Sequence, residues 1–298
     1  MISVVGHTAI DHIITVLELP QRHKSTPVLD HKVYGGGGAA NIAVGIAVLG
    51  GDAELISAVG KEFIGGEYDA FLKKNNVKTR FFVSEDKRTS TCYMFNDPKG
   101  DQTTVFEWGA GELFTTEKAP KLDFVHMATG EAEFNVSIAQ QAEFASFDPG
   151  QDLIKYTKEQ LLSLIDNIDI LFCNHHELAT ICEKLGQNSA DVLKQIPTSI
   201  VTMSEKGSRL YTNNSGNVKE IPAVKADFVE PTGAGDGYRA GFFTALQKGY
   251  PMDICCKVGA VTSSFVVEKV GCQTNLADWD GMLTRYREFF GEMPLPPV

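Results

Sequence analysis

The chain has 298 residues, of which 43% are hydrophobic and 22% are charged. This composition excludes a disordered chain and suits one large α/β domain or two small ones. The formal net charge of -11 repels a nucleic acid backbone and argues against DNA or RNA as a partner, while a small anionic ligand stays open.

The cysteines and the first residues indicate the cellular compartment. The six cysteines show no C-x-x-C spacing, and Cys255 and Cys256 are adjacent, which disfavours disulfides. The start of the chain, MISVVGHTAIDHII, has no basic leader, and no apolar run approaches the ~20 residues that a membrane span requires. We therefore expect reduced thiols, a cytoplasmic location and no membrane partner.

The first part of the chain predicts buried strands around a glycine run. A β-branched segment that ends in glycine, 2–6, predicts a buried strand. Segment 12–34 contains two prolines and predicts short edge strands or loops. The run GGGGAAN at 35–41 leads into a helix that ends at two glycines, and 53–60 predicts another buried strand.

Segment 79–108 differs in composition from its neighbours. It is rich in aromatic and β-branched residues, and a turn signal at 96–100 divides it. We interpret this segment as strands and hairpins that are more exposed than the central sheet.

From about residue 122 the pattern alternates between strands and helices. The predicted strands are 124–130, 144–150, 169–174 and 198–204; the predicted helices are 133–142, 158–168, 176–186, 237–248 and 253–268; and 207–222 predicts a hairpin. Such alternation is typical of a mainly parallel sheet that helices cover on both faces. The sequence therefore predicts one α/β domain with a small β excursion.

The segment EPTGAGDGYRAGFF, 230–243, carries a catalytic pattern. A turn of small residues, Gly233-Ala234-Gly235, precedes a predicted helix, and Asp236 lies directly after this turn. The first N–H groups of a helix bind anions, and glycine lets them approach an oxyanion closely. A carboxylate beside them is suited to deprotonate a hydroxyl that attacks a phosphoryl group. The alternative is an ordinary loop in which Asp236 caps the helix.

The glycine run suits a polyol better than a dinucleotide. Gly35, Gly37 and Ala40 fit the dinucleotide pattern, but that pattern requires a good strand directly before it, and the strand here is short. The amide of Asn41 both donates and accepts, as vicinal hydroxyls require. Asp11, which follows the first strand, would accept from two neighbouring hydroxyls; the alternative is a solvated turn aspartate.

Together these stretches resemble the ribokinase-like sugar and nucleoside kinases, the PfkB family. Residues 36–41 match its glycine-rich N-terminal signature, and 231–241 matches most of D-[ST]-x-GAGD-x-x-x-[AG]-[AG]. Asn174-His175-His176-Glu177 resembles its N-x-x-E motif, and 201–207 resembles its V-T-x-G-x-x-G turn. The four motifs occur in the family's order and span almost the whole chain.

Several segments are similar to the archaeal nucleoside kinases within this family. They are 6–13, 106–111, 126–135, 146–153 and 271–275. The resemblance implies ATP-dependent transfer of the γ-phosphoryl group to the 5′-hydroxyl of a ribonucleoside such as inosine, guanosine or cytidine.

The resemblance also implies an architecture. It is a single three-layer α/β/α ribokinase-like domain over 1–298, with a mainly parallel central sheet and a small β-sheet lid from about 12–34 and 79–108. In relatives such lids often pair between subunits, so a homodimer through the lid is expected. Trp108 follows a predicted lid strand, where it fits either stacking on a base or core packing.

The resemblance assigns roles residue by residue. The implied catalytic residues are Asp236, as the base, and Gly233, Ala234 and Gly235, as the anion hole. The implied substrate-binding residues are Asp11, Gly36, Gly37, Asn41 and Gln151. Thr202, Gly207 and Gly235 would line the ATP site, and Asn174 and Glu177 would hold Mg²⁺. Structural alternatives exist for three sets: a helix capping box for Asn174 and Glu177, a plain β-turn for Thr202 and Gly207, and a polar loop residue for Gln151.

One position departs from the family pattern. The family usually has an aspartate where this chain has Glu230, and in relatives that residue helps hold a monovalent cation such as K⁺. The longer side chain leaves dependence on such a cation open.

Other functions compete with the nucleoside kinase hypothesis. Within the family these are ribokinase, adenosine kinase and phosphofructokinase; the last needs cations for a second phosphate, which Arg88, Lys99 and Arg239 could supply in part. A dinucleotide-binding dehydrogenase would account for the glycine run but not for GAGD. A non-catalytic ligand-binding protein on the same fold would not need Asp236.

Overall fold

A computed structural model of the chain describes residues 1–213 and 218–296, and two β-sheets organise them. The strands are β1 (Ile2–Val5), β2 (Ala9–Val16), β3 (Val28–Gly36), β4 (Ala53–Gly60), β5 (Lys78–Ser84), β6 (Ser90–Asn96), β7 (Gln102–Glu107), β8 (Phe124–Met127), β9 (Phe144–Phe147), β10 (Ile170–Asn174), β11 (Thr198–Thr202), β12 (Ser208–Thr212) and β13 (Val218–Ile221). The turn between β12 and β13, within the predicted hairpin 207–222, lies outside the described residues.

The larger sheet has the strand order β13-β12-β11-β10-β9-β8-β1-β4-β5. All pairs from β11 to β5 are parallel, and β12 and β13 add an antiparallel edge. The chain runs from β1 to β4 and β5 on one side, and later places β8 on the other side of β1. In sheets of this type, ligands bind beyond the carboxyl ends of the strands where the strand order reverses.

Helices cover both faces of this sheet. They are α1 (Gly38–Val48), α2 (Glu67–Lys74), α3 (Ala132–Ala139), α4 (Lys158–Asn167), α5 (His175–Leu185), α6 (Ser189–Gln195), α7 (Ala234–Gln247), α8 (Met252–Val266) and α9 (Trp279–Phe290). Residues of α1, α7, α8 and α9 form one apolar core, and residues of α3 to α6 form the other. The predicted three-layer α/β/α fold is confirmed.

No helix in the described part of the chain is both long enough and apolar enough to cross a bilayer.

The second sheet has four strands in the order β3-β2-β6-β7. Side chains on β2 alternate: Ala9, Asp11 and Ile13 are buried toward the large sheet, and Ile10 and His12 are half-buried on the outer face. The segment 12–34 therefore contributes parts of β2 and β3, joined by a loop over 17–27. As predicted, it contains an edge strand, β3, and a loop, but the strands are longer than expected and β2 is not at the edge. Whether this sheet moves as a lid stays a prediction.

The predicted lid segment 79–108 is divided between the two sheets. Strand β5 pairs in parallel with β4, so it belongs to the edge of the large sheet, while β6 and β7 belong to the small one. An edge strand is exposed along one side, so its sequence alternates as that of a hairpin strand does. The assignment of β5 to the lid was wrong for this reason. Arg80 on β5 pairs with Glu54 on β4 at 2.9 Å and helps fix the register.

Helices α1 and α7 pack closely at Gly45 and Ala240. A Cβ placed on Gly45 would lie 2.5 Å from the Cβ of Ala240, so only glycine permits this approach. Because the two helices run side by side from this contact, their N-terminal turns lie next to each other. Those turns contain Asn41 and Asp236, the residues from the two strongest sequence motifs.

The Gly45 contact yields a test of stability. We expect Gly45→Val to lower the free energy of unfolding by about 1–3 kcal/mol, because overpacking forces the two helices apart. Urea denaturation followed by circular dichroism measures the change. Ala47→Val, in the same helix at a partly exposed position, is the matched control and should change stability little. Equal losses in both variants would contradict the packing argument.

Candidate functional site

The candidate site lies where β1, β8, β9 and β10 end, below the small sheet. The N-terminal turns of α1 and α7 face each other there. Asn41 donates from Nδ2 to Oδ2 of Asp236 at 2.8 Å, across 195 positions of sequence. The two strongest motifs of the sequence therefore meet at one hydrogen bond.

Asp236 is a partly buried carboxylate, 19% exposed, with two partners. Its Oδ2 accepts from Asn41, and its Oδ1 lies 3.4 Å from Nη1 of Arg239. Burial raises the pKa of Asp236 to about 6, since Arg239 and Asn41 only partly offset burial and the nearby negative charge of Asp148. The N-cap of α7 is Gly233 and not Asp236, so the interpretation of Asp236 as a helix cap is wrong. A carboxylate that titrates near neutral pH is suited to accept a proton.

The turn before Asp236 requires glycine for two reasons. Gly233 has φ of 81°, and a Cβ there would lie 2.7 Å from the side chain of Cys272. Ala234 and Gly235 begin α7, where the first N–H groups have no partner within the helix. The geometry is compatible with an anion hole at Gly233, Ala234 and Gly235, which stays a prediction.

The protein's own groups account for three glycines of the GGGG run. The ring of Tyr68 packs on Gly35, the carboxylate of Asp11 packs on Gly36, and Gly37 adopts φ of 92° against the carbonyl of His7. A side chain at any of them would clash. Open space for ligand hydroxyls is therefore not needed to explain these glycines, and sugar contact by Gly36 and Gly37 stays a prediction.

Asp11 lies in the middle of β2 and is 6% exposed. The interpretation as a solvated turn aspartate is thus wrong. Burial, with the negative charges of Asp236 and Glu230, raises the pKa of Asp11 to about 7. A carboxylate that this site holds close to its ionisation point will respond to any ligand that donates hydrogen bonds to it.

A chain of hydrogen bonds holds the side-chain amide of Asn41 on the side opposite Asp236. Gln273 donates from Nε2 to Oδ1 of Asn41 at 2.8 Å and contacts the hydroxyl of Tyr68 at 2.6 Å. The Tyr68 hydroxyl in turn donates to the carbonyl of Gly36 at 3.1 Å. Neither Tyr68 nor Gln273 was predicted: Gln273 lies in 271–275, a segment similar to the archaeal nucleoside kinases, and no pattern in the sequence marks Tyr68.

Arg239 and Asp148 form a buried ion pair beside Asp236. Asp148 follows β9, and its Oδ1 accepts from the backbone N–H of Gly150 at 3.0 Å. Burial raises the pKa of Asp148, while Arg239 and that N–H act against the rise. The sequence assigned no role to Asp148, although it stands at a strand end in the segment SFDPG, and it offered Arg239 only as a cation for the second phosphate of a sugar phosphate.

Asn174 and Glu177 form a capping box at the start of α5. Oδ1 of Asn174 accepts from the N–H groups of His176 and Glu177, and Oε2 of Glu177 accepts from the N–H of Asn174 at 2.7 Å. The structural alternative is therefore present. Burial and the charge of Asp148 raise the pKa of Glu177 to about 7, so positive charge would be favoured here.

The chemistry around Glu177 fits a hydrated Mg²⁺ ion and no closed metal cage. Across residues 1–213 and 218–296, no group of three or more His, Cys, Asp or Glu is arranged to hold a metal. Mg²⁺ needs few protein ligands because it keeps several waters and binds substrate phosphates. The structure places Gln151 with Asn174 and Glu177 around a cavity of about 330 Å³, and Asp11 does not line that cavity.

Two further predicted positions lie at turns. Thr202 ends β11, and Gly207 has φ of 88° in a turn where the N–H of Met203 donates to its carbonyl at 2.8 Å. A β-turn accounts for this glycine, and lining of an ATP site stays a prediction.

Glu230 is buried next to the start of α7. Its Oε1 accepts from the N–H of Thr232 at 2.9 Å and from the Thr232 hydroxyl. Its Oε2 is buried and has no hydrogen-bond partner among the described residues. Buried polar atoms are normally paired, so this oxygen fits a cation.

A row of side chains crosses the site-facing side of the small sheet. In register from β3 to β7 these are Tyr34, Asp11, Cys92 and Phe106. Phe106 packs against His7, with ring centroids 5.0 Å apart. The row places an apolar surface directly beside the Asp11 carboxylate.

Trp108 packs against protein groups at the end of this row. Its ring makes an edge contact with His7 at 4.6 Å, and Nζ of Lys155 lies 3.3 Å from its centroid. Nε2 of His7 in turn lies 3.3 Å from the Asp152 carboxylate. Of the two interpretations of Trp108, internal packing is the one that these contacts favour.

Comparison with known proteins adds sequence relatives. A family model described as pfkB family carbohydrate kinase matches residues 1–279. A relative called nucleoside kinase, from Methanocaldococcus jannaschii, is 42% identical over 291 residues, which are 95% of this chain and 96% of the relative. A second nucleoside kinase, from Methanothermobacter thermautotrophicus, is 36% identical and covers 97% and 96% of the two chains.

Solved structures match at full length. The crystal structure of the Methanocaldococcus jannaschii nucleoside kinase, an archaeal member of the ribokinase family, has a TM-score of 0.91 at 41% identity and covers 96% of this chain and 98% of that one. The nucleoside kinase of Burkholderia thailandensis in complex with inosine has a TM-score of 0.88 at 23% identity, with 99% of both chains covered. At that identity the likeness concerns the fold.

The raised pKa of Asp11 predicts a pH-dependent stability. Because the folded protein binds this proton more tightly than the unfolded chain, stability falls as pH rises from about 4 to about 7. We expect Asp11→Asn to raise the free energy of unfolding by about 2–4 kcal/mol at pH 8 and much less at pH 5, from 1.36 kcal/mol per unit of pKa shift.

Urea denaturation of wild type and variant at both pH values checks this expectation. Asp86→Asn, at an exposed position, is the control and should show the same small difference at pH 5 and pH 8. A destabilised Asp11→Asn variant at pH 8 would contradict the prediction.

Proposed function

The chain belongs to the pfkB family of carbohydrate kinases, and from this membership we propose that it transfers the γ-phosphoryl group of ATP to the 5′-hydroxyl of a ribonucleoside of the inosine, guanosine and cytidine class. One observation carries the proposal. The Asp236 carboxylate lies at the start of α7, 19% exposed and near Asp11, in a chain that is 42% identical to a nucleoside kinase over 95% of its length.

Asp236 is the proposed base. Its carboxylate would take the proton of the 5′-hydroxyl as that oxygen attacks the phosphoryl group. The backbone amides of the turn Gly233-Ala234-Gly235 would stabilise the charge that grows on the phosphoryl oxygens, since fixed dipoles act strongly where water is excluded. Asn41 and Arg239 hold the base in position from two sides.

The small sheet supports a nucleoside over a free sugar as acceptor. Asp11 would accept from the ribose hydroxyls, next to Gly36, Gly37 and Asn41. Cys92 and Phe106 continue the row beyond Asp11 and would give a nucleobase an apolar surface that ribose alone would leave uncovered.

Two alternatives lose support. Arg239 is engaged with Asp148 and Asp236, so it is not available for the second phosphate of a sugar phosphate, which disfavours a phosphofructokinase. Family membership removes the basis for a dinucleotide-binding dehydrogenase. A ribokinase-type acceptor stays the second candidate, and the acceptor screen below distinguishes it.

The remaining parts of the ATP reaction have candidate residues. Thr202, Gly207 and Gly235 would line the ATP site, and Asn174 and Glu177, with Gln151 nearby, would hold Mg²⁺ through its waters. When bound, Mg²⁺ would neutralise phosphate charge. The unpaired Oε2 of Glu230 supports a monovalent cation such as K⁺ at the position of the family's aspartate.

The outer face of the small sheet supports the proposed homodimer. One row across it, in register, consists of Val33, His12, Tyr93 and Val105, and both valines are more than half exposed, at 54% and 53%. Exposed apolar side chains on a sheet whose edge strands are unpaired favour association. We propose that the lid sheets of two copies pair, and that the enzyme works in the cytoplasm.

The acceptor screen tests the function. Wild-type protein with ATP and Mg²⁺ should phosphorylate inosine, guanosine and cytidine at higher kcat/KM than adenosine, ribose, fructose or fructose 6-phosphate, measured as ADP release. Asp236→Asn should lower kcat by about 10²–10⁴-fold, because the base is lost, while nucleoside still binds in calorimetry. Glu159→Gln, at an exposed position on α4, is the charge-matched control.

Two outcomes would overturn these assignments. Faster turnover of ribose than of every nucleoside would favour the ribokinase alternative. Near wild-type turnover by Asp236→Asn would remove Asp236 as the base.

The dimer proposal has its own test. We expect wild-type protein to sediment as a dimer and Val33→Lys/Val105→Lys to sediment as a monomer, because buried lysines would oppose pairing of the sheets. Val83→Lys, at a 43% exposed valine of the large sheet, should stay dimeric. Sedimentation velocity of all three proteins decides; a monomeric wild type refutes the proposal.

A further inference from the structure

Arg239 is an arginine buried among acids. It lies three residues after Asp236 on α7, and its side chain is 12% exposed. Its Nη2 pairs with Asp148, its Nη1 lies 3.4 Å from Oδ1 of Asp236, and its Nε is buried with no hydrogen-bond partner in the described part of the chain. Burying an ion pair costs desolvation that the attraction barely offsets. Stability is therefore a weak reason for this arrangement.

The arrangement does control the Asp236 carboxylate. Asn41 donates to one carboxylate oxygen at 2.8 Å and Arg239 approaches the other, so the two donors together fix the plane of the group. Asp148 pairs with a different nitrogen of the same guanidinium and is itself anchored by the N–H of Gly150. The rigid fork of arginine permits both contacts at once, which the single ammonium of lysine does not.

We propose that Arg239 is a positioning residue that keeps the Asp236 carboxylate ionised and aimed, and that Asp148 is the counter-charge that anchors its guanidinium. This inference rests on the proposed role of Asp236 as the base. It assigns the pair Arg239 and Asp148 to the control of the base and not to contact with the transferred phosphoryl group.

The charges that face Asp236 set the expected directions. Arg239 on α7 and Asn41 on α1 lower its pKa, and Asp148 at the end of β9 raises it. Asp11 on β2, Tyr68 on α2 and Cys272 after α8 also face this carboxylate and interact with its charge. Because Arg239 and Asp148 act in opposite directions on Asp236, removing each in turn should shift its titration oppositely.

The test is the pH profile of the single-turnover rate of phosphoryl transfer, at saturating nucleoside and ATP with Mg²⁺. This rate reports the chemical step without product release. We expect the acid limb of Arg239→Gln to move up by about one to two pH units, with the rate recovering at high pH. The limb of Asp148→Asn should move down, and that of the double variant should lie between those of the two single variants.

Several outcomes would overturn this inference or would favour direct contact of Arg239 with the phosphoryl group. Limbs that coincide with wild type in both single variants, or that move in the same direction, overturn it. Loss of rate in Arg239→Gln at every pH, with a raised KM for ATP, would instead place Arg239 on the phosphoryl group. A wild-type protein that phosphorylates ribose and no nucleoside would refute the proposed acceptor class, and the same pH profiles measured with ribose would then test this inference.

Two further measurements exclude a merely structural effect. Arg239→Lys keeps the charge, so it should restore the wild-type acid limb while lowering the plateau rate through worse alignment. Melting temperature and calorimetric nucleoside binding establish that each variant is folded. Should Arg239→Gln not fold, Asp148→Asn still decides, since an unshifted or raised limb there overturns the proposal.

Discussion

The partial burial of one carboxylate, that of Asp236, is the constraint on which the site depends. A charge taken out of water must be paired and hydrogen-bonded, or it becomes protonated. Here Asn41 meets one oxygen and Arg239 the other, and each donor needs support of its own, from Gln273 and from Asp148. The network of hydrogen bonds and ion pairs therefore extends from Asp236 through Asn41 and Arg239 to Gln273 and Asp148, which lie far from Asp236 in the chain.

The strand order of the large sheet is what makes these compensations possible. Because β1, β8, β9 and β10 run parallel, their carboxyl ends meet at one edge of the sheet, next to the reversal of strand order at β1. Residues that follow those strands, such as Asp148, face helices α1 and α7, which the contact of Gly45 with Ala240 holds close together. The small sheet then covers this edge with Asp11. Fold and chemistry therefore meet at the same topological feature.

The sequence predicted what is local and missed what is long-range. The alternation of strands and helices predicted an α/β domain with a mainly parallel sheet, which is confirmed, and local patterns around Asn41 and Asp236 predicted site residues whose roles stay predictions. Strand β5 was misplaced because an edge strand of either sheet has the same alternation. Tyr68, Asp148 and Gln273 were missed because single polar residues gain their importance from partners that only the tertiary structure brings near them. The glycine run was interpreted as suited to a polyol ligand, but the groups that require Gly35 and Gly36 are Tyr68 and Asp11 of the same protein.

The hydrogen bond from Gln273 to Asn41 joins positions 232 residues apart. Contacts of such separation form late, because the chain between them must be ordered first. During synthesis, the amide oxygen of Asn41 therefore stays without this partner until the 232 residues up to Gln273 have been added and folded. Phosphoryl transfer would begin only after that contact has formed, and catalytic activity would serve as a sensitive reporter of long-range folding in cells and in refolding assays.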